Sequence, residues 1–260
     1  MPVLKQQLKG YQFCRNNKPD KRVAISIWNG KLIKLLNSIS STSYIGRLQR
    51  LTFLLQHKAL LRTAETGLSG NSEIAWERAL RVSNFIWYPC FKHATDVVVT
   101  KTTSKTNRLG KYKQEIPVCC ECPAPCLVHT LKDWLCSLAT ANKGILKANS
   151  FVLIYENGRL ISDANIRKWM KEQCKVLKWK TEQHKPYSLR IGRAEDLFHI
   201  GVPNITIRDL GCWRTDSYMR YIRPTAQDNL FLLKKKQKKC VVQQLYRQHI
   251  KFNDLRKTSK

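Results

Sequence analysis

The stretch from His184 to Pro224 carries the strongest structural signal in the chain, and it reads HKPYSLRIGRAEDLFHIGVPNITIRDLGCWRTDSYMRYIRP. The apolar residues between Leu189 and Ile200 have the spacing of a helix, and Ser188 is a candidate N-cap. Gly201 ends this run, as glycine commonly does at helix C-termini. The stretch therefore opens with a predicted helix.

Two more short helices are predicted in the same stretch. Residues 205–210 form the second, which Gly211 terminates. Residues 215–222 form the third, and it carries Tyr218 and Tyr221 one turn apart on the same face. Each boundary between these helices thus presents a polar or aromatic side chain.

The order of these side chains resembles the C-terminal half of the catalytic domain of tyrosine recombinases, the phage integrase family. That family has a His-x-x-Arg box, then a Leu-Gly-His or Leu-Gly-Arg-Trp turn, then a nucleophilic tyrosine. Here Tyr187-Ser-Leu-Arg190 corresponds to the box and Leu210-Gly-Cys-Trp213 to the turn. Tyr221, nine residues after Cys212, corresponds to the nucleophile, and Tyr218 is the alternative nucleophile or a packed aromatic residue. The residues in and around these motifs are most similar to those of recombinases of eukaryotic mobile elements and their relatives.

The resemblance implies a mixed α/β fold, mainly α-helical with a small antiparallel sheet. It also implies site-specific breakage and rejoining of duplex DNA through a 3′-phosphotyrosyl intermediate, without metal or ATP. Tyrosine suits the nucleophile because the phosphotyrosyl link keeps the energy of the broken bond. We expect no cofactor and no metal ligands in this chemistry.

A second arginine is needed, since two guanidinium groups bind the non-bridging phosphate oxygens in fixed geometry. Residues 26–38 and 46–66 are predicted helices, and the second ends in Arg62-Thr-Ala-Glu65 followed by Gly67. This resembles the first recombinase box, with Arg62 as the phosphate ligand. An ordinary surface ion pair is the alternative. Arg81 is a rival arginine without a matching acid, in a segment that favours the first strand, Leu80 to Trp87.

A hairpin is predicted from residues 97–110, which are β-branched and then turn. In the family, a lysine at such a tip protonates the leaving 5′ oxygen, and Ser104-Lys105-Thr106 matches that context. Lys105 is therefore the candidate general acid. Lys101 and Lys111 are candidate DNA contacts, as are Arg193 and Arg214.

Two positions depart from the family pattern. Tyr187 stands where histidine is usual, and Cys212 stands where histidine, arginine or tryptophan is usual. His184 is a candidate replacement for the first, and Trp213 for the second. Both departures leave open a catalytically impaired DNA-binding remnant of a mobile-element recombinase.

Composition supports a nucleic-acid partner. The chain has 260 residues and a net charge of +29, which favours binding to a polyanion. A non-enzymatic basic nucleic-acid-binding protein is the third alternative. No apolar run is long enough for a membrane span and no signal peptide is visible, so we expect an intracellular protein, nuclear if the host is eukaryotic.

Three parts of the chain are distinguished by charge and pattern. Residues 1–24 are expected to be the end of an N-terminal DNA-binding domain and a basic linker. Residues 25–233 form the predicted catalytic domain, and residues 234–260 a basic tail or helix. As in the family, we expect a homo-oligomer on DNA.

A cysteine-rich segment precedes a predicted helix at Leu127 to Leu138. Cys122, Cys126 and His129 have the spacing of zinc ligands, and Cys119 and Cys120 are nearby. A zinc site usually draws a second ligand pair from elsewhere in the sequence, and none is evident. The sequence therefore favours an ordinary helix start over a zinc site.

Overall fold

A computed structural model describes residues 22–70, 73–101, 113–122, 125–213, 215, 218, 219 and 222, with the backbone only at 73 and 74. Its helices are α1 Lys31–Asn37, α2 Tyr44–Lys58, α3 Thr63–Thr66, α4 Glu73–Arg78, α5 Leu127–Ala141, α6 Asp163–Val176, α7 Tyr187–His199 and α8 Asn204–Leu210. Its strands are β1 Phe85–Tyr88, β2 Asp96–Lys101 and β3 Gln114–Cys119. The chain is thus mixed α/β and mainly α-helical with a small sheet, as predicted.

Helix α2 is the central helix of the fold. Its leucines are buried, and so are polar residues near its C-terminus, including Gln56, His57 and Lys58. Ser43 caps its start by accepting a hydrogen bond from the N–H of Gly46 at 3.1 Å. Because α2 packs against both α5 and α7, it is enclosed on several sides.

The predicted helix over 46–66 is wrong in its second half. Helix α2 ends at Lys58, and Leu60 takes a left-handed conformation with φ 52°. The chain then restarts as α3, whose N-cap position is Arg62. Arg62 therefore lies before a short helix and not at the end of a long one.

The other predicted N-terminal helix, 26–38, is shorter than expected. It begins at Lys31, because the preceding backbone is held in a turn. The carboxylate of Asp196 accepts hydrogen bonds from the N–H groups of Ile27 and Trp28 at 3.0 and 2.9 Å. Long-range hydrogen bonding thus outweighs helical propensity here.

The predicted hairpin forms a three-stranded antiparallel sheet in the order β1-β2-β3. Alternate side chains of β2 and β3 face the core, such as Val99 and Ile116, which are register partners. The predicted first strand is shorter than expected, since Val82–Asn84 is a 3-10 helix. Phe151 and Ile154 form isolated bridges outside this sheet. The expected hairpin tip with Lys105 lies outside the described residues.

The first two helices of the C-terminal stretch are confirmed, as α7 and α8. Gly201 follows α7 with φ +86°, and Gly211 is the C-cap of α8. The N-cap prediction for Ser188 is wrong, because α7 begins at Tyr187. The Ser188 hydroxyl instead accepts from the N–H of Lys185 in the preceding turn. The predicted third helix lies outside the described residues, except for 215, 218, 219 and 222.

Two buried clusters join these elements. The larger cluster packs the sheet against α1, α2, α5 and α6, and the smaller lies beneath α7 and α8. Leu60 and Trp213 both belong to the smaller cluster, so the break after α2 meets the turn after α8 there. No helix among the described residues is both long and apolar enough to cross a bilayer.

Candidate active site

Arg190 lies at the centre of the candidate site, in the first turn of α7. It is 1% exposed. Its Nη1 donates to the carbonyl oxygen of Leu60, and its Nη2 donates to that of Gly211. The face of the Trp213 ring covers the guanidinium, with Cζ 4.5 Å from the ring centroid. The group is therefore fixed in position by three contacts from two other segments of the fold, the break after α2 and the turn after α8.

Both carbonyl oxygens come from helix ends that turn through a left-handed residue. Leu60 has this conformation just after α2, and Cys212 has it just after α8, with φ 51°. The N–H of Cys212 donates to Asp209 and that of Trp213 donates to Arg208, each at 3.0 Å. This pair of hydrogen bonds is the Schellman motif, which is common at helix C-termini. The negative ends of two helices thus point at one guanidinium.

Glu65 supplies the negative charge of the site. Lys101 Nζ lies 2.8 Å and Arg62 Nη1 3.0 Å from its Oε1, while its Oε2 accepts from the Arg62 N–H at 2.8 Å. Burial raises the pKa of this carboxyl, but Lys101, Arg62 and Arg190 together outweigh burial and hold the pKa at about 2. Glu65 is therefore ionised at neutral pH.

The site keeps an excess of positive charge. Three cations, Arg62, Lys101 and Arg190, surround the single carboxylate of Glu65. A guanidinium has five N–H donors, and the Nε of Arg190 has no hydrogen-bond partner among the described residues. The cluster therefore carries a net positive charge, which favours an anionic partner such as a phosphodiester.

No family model matches the sequence, and no curated protein matches it. Solved structures do match the fold. The XerH site-specific recombinase bound to difH substrate, in a pre-cleavage complex, aligns with TM-score 0.56 and 14% identity over 81% of this chain and 52% of that chain. XerA recombinase aligns with TM-score 0.52 and 13% identity, over 87% and 65% of the two chains. The Tn1549 transposon integrase in complex with a circular intermediate DNA aligns with TM-score 0.54 and 9% identity, over 85% and 67%.

This chain has the tyrosine recombinase fold. It spans about half the length of the XerH structure it matches. The predicted resemblance is thus confirmed for the fold. Of the predicted catalytic residues, the structure brings Arg62, Arg190, Cys212 and Trp213 together. Tyr221 and Lys105 lie outside the described residues, as do Lys111 and Arg214.

Lys101 occupies a different environment from that of an ordinary surface lysine. It ends β2, and its side chain is buried against Glu65. Burial lowers the pKa of its ammonium, the charge of Glu65 raises it in part, and Arg190 lowers it further. The predicted DNA contact through Lys101 stays a prediction, and its place beside Glu65 was not visible in the sequence.

Cys212 and Trp213 have different roles in the turn after α8. The Cys212 thiol donates to the Asp209 carbonyl at 3.4 Å, and its pKa is raised mainly by burial. It therefore stays protonated and helps to end α8. Trp213 packs on the guanidinium of Arg190, and Gly211 permits this, since a Cβ there would lie 1.7 Å from the indole ring.

Neither Tyr187 nor His184 provides an imidazole that is free to exchange a proton. Tyr187 begins α7 and lies under the guanidinium of Arg22, 4.5 Å from its ring centroid. His184 Nδ1 is 3.0 Å from the Lys180 carbonyl, so it carries the hydrogen, and Nε2 accepts from Lys31 at 3.0 Å. Because both ring nitrogens are engaged, His184 is not a ready proton acceptor.

A second cluster of charged residues is centred on Glu121. Glu121 pairs with Lys58 and with Arg193, whose Nη2 is 2.9 Å from Glu121 Oε1. Nearby, His57 Nε2 lies 3.1 Å from Asp196 Oδ2. Sequence reasoning missed these pairs because their members are far apart in the chain. Arg193 was predicted to contact DNA, and that stays a prediction, although its guanidinium is largely buried against Glu121.

Proposed function

We propose that this chain is a DNA recombinase or integrase that cuts and rejoins duplex DNA through a 3′-phosphotyrosyl intermediate. The observation that carries the proposal is the cluster of Arg62, Lys101 and Arg190 around Glu65, covered by Trp213, in the tyrosine recombinase fold. XerH is described as bound to a difH substrate and the Tn1549 integrase as bound to DNA. The net charge of +29 supports the same class of partner.

The arginines would stabilise the transition state. A pentavalent phosphorus carries extra negative charge on its non-bridging oxygens, and preorganised guanidinium groups stabilise that charge as it develops. Arg190 is held by two carbonyl oxygens and an indole ring, so it needs little reorganisation. Arg62 is held by Glu65 and is the more exposed of the two. In this proposal, Glu65 positions cations and does not react.

Tyr221 is the proposed nucleophile. Its phenol oxygen would attack phosphorus, the bond from phosphorus to the 5′ oxygen would break, and the phenol proton would be released as the 5′ oxygen gains one. Tyr218, the alternative, is buried, with its ring 6.1 Å from that of Trp213. A packing role for Tyr218 favours the sequence register that selects Tyr221.

The proton for the 5′ oxygen comes from a lysine in this proposal. Lys105 has the family context, whereas Lys101 has an ammonium whose pKa burial lowers, which brings a proton donor closer to neutral pH. Lys101 is the last residue of β2, and Lys105 follows four residues later in the sequence. The proposal assigns the general acid to Lys105 and keeps Lys101 as the matched alternative.

Covalent capture tests the nucleophile. Duplexes selected by this protein from a random library would be nicked at successive positions, incubated with it, and separated on denaturing gels. We expect an adduct with the wild type and with Tyr218→Phe, and none with Tyr221→Phe. Loss of the adduct in Tyr218→Phe alone would move the nucleophile by one turn.

A sulfur substitution tests the general acid. When the 5′ bridging oxygen is replaced by sulfur, the leaving thiolate needs no proton. We expect Lys105→Ala to be inactive on the oxygen substrate and active on the sulfur substrate. If Lys101→Ala shows this rescue and Lys105→Ala does not, Lys101 is the acid.

A DNA-binding remnant without cleavage activity is the second candidate. Tyr187 and Cys212 favour it, since a phenol does not exchange a proton near neutral pH as an imidazole does, and a thiol is only a weak hydrogen-bond donor. The remnant would bind duplexes in the same selection and give no adduct at any nick. Whether the protein assembles into an oligomer on DNA is read from the stoichiometry of the bound complexes.

A further inference from the structure

The connection between β3 and α5 brings four metal-ligating side chains together. Cys120, Cys122, Cys126 and His129 offer three sulfur atoms and one imidazole nitrogen, all within 4.8 Å of one another. This cluster is separate from the arginines of the candidate active site. Its four residues come from one short segment, Cys-x-Cys-x3-Cys-x2-His.

Two of the distances in the cluster have the values expected for a tetrahedral zinc site. With bonds of about 2.3 Å to sulfur and about 2.0 Å to nitrogen, neighbouring ligand atoms around zinc are about 3.5–3.8 Å apart. Cys126 Sγ is 3.6 Å from Cys120 Sγ, and Cys120 Sγ is 3.7 Å from His129 Nδ1. Cys122 Sγ is 3.1 Å from the same nitrogen. The sulfur atoms are too far apart for a disulfide, and these cysteines are free thiols.

We propose that Cys120, Cys122, Cys126 and His129 bind one structural zinc ion. Three thiolates and one imidazole form a closed four-ligand set that zinc favours, with no position left for a substrate. This reverses the expectation from sequence. The fourth ligand is Cys120, next to the end of β3, so no pair from elsewhere in the chain is needed.

The zinc ion would fix Glu121, which lies between two of its ligands. Glu121 Oε1 is 2.9 Å from Arg193 Nη2, and its Oε2 pairs with Lys58 Nζ. Lys58 is the last residue of α2, two residues before Leu60, and Arg193 lies one turn after Arg190 on α7. The metal site therefore braces α2, whose end supplies the Leu60 carbonyl, and α7, which carries Arg190, although it takes no part in the chemistry.

Metal content and ligand identity are measured on the full chain without DNA, so the result is independent of the proposed recombinase activity. Protein purified from zinc-supplemented cells is expected to hold about one zinc per chain. After anaerobic exchange, Co²⁺ is expected to give the intense thiolate-to-cobalt bands of a tetrahedral site. Cys126→Ser and His129→Ala are expected to bind zinc at least about 100-fold more weakly.

The chain offers two matched controls. Cys136 is an exposed free thiol on the same helix as His129, and Cys119 is next to Cys120 but outside the cluster. Cys136→Ser and Cys119→Ser should keep the full zinc content and the cobalt spectrum. Folding of every variant is checked by circular dichroism.

Three results would overturn the proposal. The first is folded wild type that holds no zinc and gives no cobalt bands. The second is a disulfide among these cysteines in protein prepared under reducing conditions. The third is equal zinc loss in the Cys136→Ser control, which would place the metal elsewhere.

Discussion

At the scale of single residues, Arg190 combines burial with an unusual set of partners. Two carbonyl oxygens and the Trp213 ring face a guanidinium that is 1% exposed. A buried charge without a counter-charge in contact is costly unless its surroundings are strongly polar. Helix ends supply that polarity here, and Glu65 contributes at longer range.

The first prediction is that Arg190→Lys lowers both stability and adduct formation, although it keeps the positive charge. An ammonium cannot reach both Leu60 and Gly211 in the planar geometry of the guanidinium, so one buried carbonyl loses its donor. The free energy of unfolding should fall by about 1–3 kcal/mol, measured by chemical denaturation. Adduct formation should fall about 100-fold or more.

Arg167→Lys is the control for this substitution. Arg167 is exposed and makes one ion pair with Asp163 on its own helix. It should change neither stability nor cleavage. Full stability of Arg190→Lys would mean that the two carbonyl contacts contribute nothing.

At the scale of elements, the packing of α7 leaves no room at Gly192. A Cβ there would lie 1.9 Å from the carbonyl oxygen of Ile25. That oxygen belongs to the backbone of the segment that precedes α1, and the Ile25 N–H is bonded to Ser188 at 2.9 Å. The two segments therefore depend on glycine for their close approach.

The second prediction follows from this contact. Gly192→Ala should lower the free energy of unfolding by about 1–3 kcal/mol or more, because the backbone must move to accept one methyl group. Thermal unfolding monitored by circular dichroism measures it. Lys168→Ala, at an exposed position on α6, is the control, and equal stability of the two variants would contradict the packing argument.

The pair between α2 and α7 predicts a pH dependence. Complete burial lowers the pKa of His57 to about 4, although Asp196 opposes this shift. The unfolded chain binds a proton near pH 6.5, and the folded chain binds it only near pH 4. Stability contributed by neutral His57 is therefore full above pH 6.5 and falls by about 3 kcal/mol as the pH drops to 4.

Denaturant titrations across this pH range test the third prediction. His57→Gln should show a flatter dependence between pH 6.5 and 4, since its side chain does not titrate. His93→Gln, at an exposed position, should keep the wild-type slope. A wild-type slope in His57→Gln would exclude this histidine as the source.

The elements also show what sequence reasoning can reach. Periodicity predicted most of α2, and the glycines predicted the ends of α7 and α8. It missed the break at Leu60, because a leucine with positive φ has no sequence signature. It also misplaced Ser188, whose hydroxyl serves the preceding turn.

The candidate site was predictable only in part. Arg62 and Arg190 follow from the family resemblance, but the ion pair of Lys101 with Glu65 depends on strand register and on the position of α3. The same holds for Glu121, which meets Lys58 across 63 residues. Pairings over such distances are set by tertiary structure and leave no local pattern.

At the scale of the whole molecule, charge is the dominant property. The net charge is +29 over 260 residues. Association of such a protein with DNA releases counterions, and this release makes affinity depend steeply on salt.

The fourth prediction is that duplex affinity falls about 10³- to 10⁵-fold between about 50 and 200 mM salt, as expected for six to ten phosphate contacts. Fluorescence anisotropy with a labelled duplex measures the slope. Tyr221→Phe, which removes no charge, should give the same slope. An affinity that does not change with salt would rule out a mainly electrostatic interface.

The contact between Arg190 and Leu60 also bears on when the protein becomes able to act. The two residues are 130 positions apart, and the second carbonyl, from Gly211, is 21 positions beyond Arg190. During synthesis the N-terminal part of the chain leaves the ribosome first, so Arg62 is available long before Gly211 and Trp213 have been synthesised. Closing so long a loop is entropically unfavourable until the segments that reward it are present. A nascent chain therefore has no assembled arginine cluster, and the proposed activity would arrive only with the completed fold.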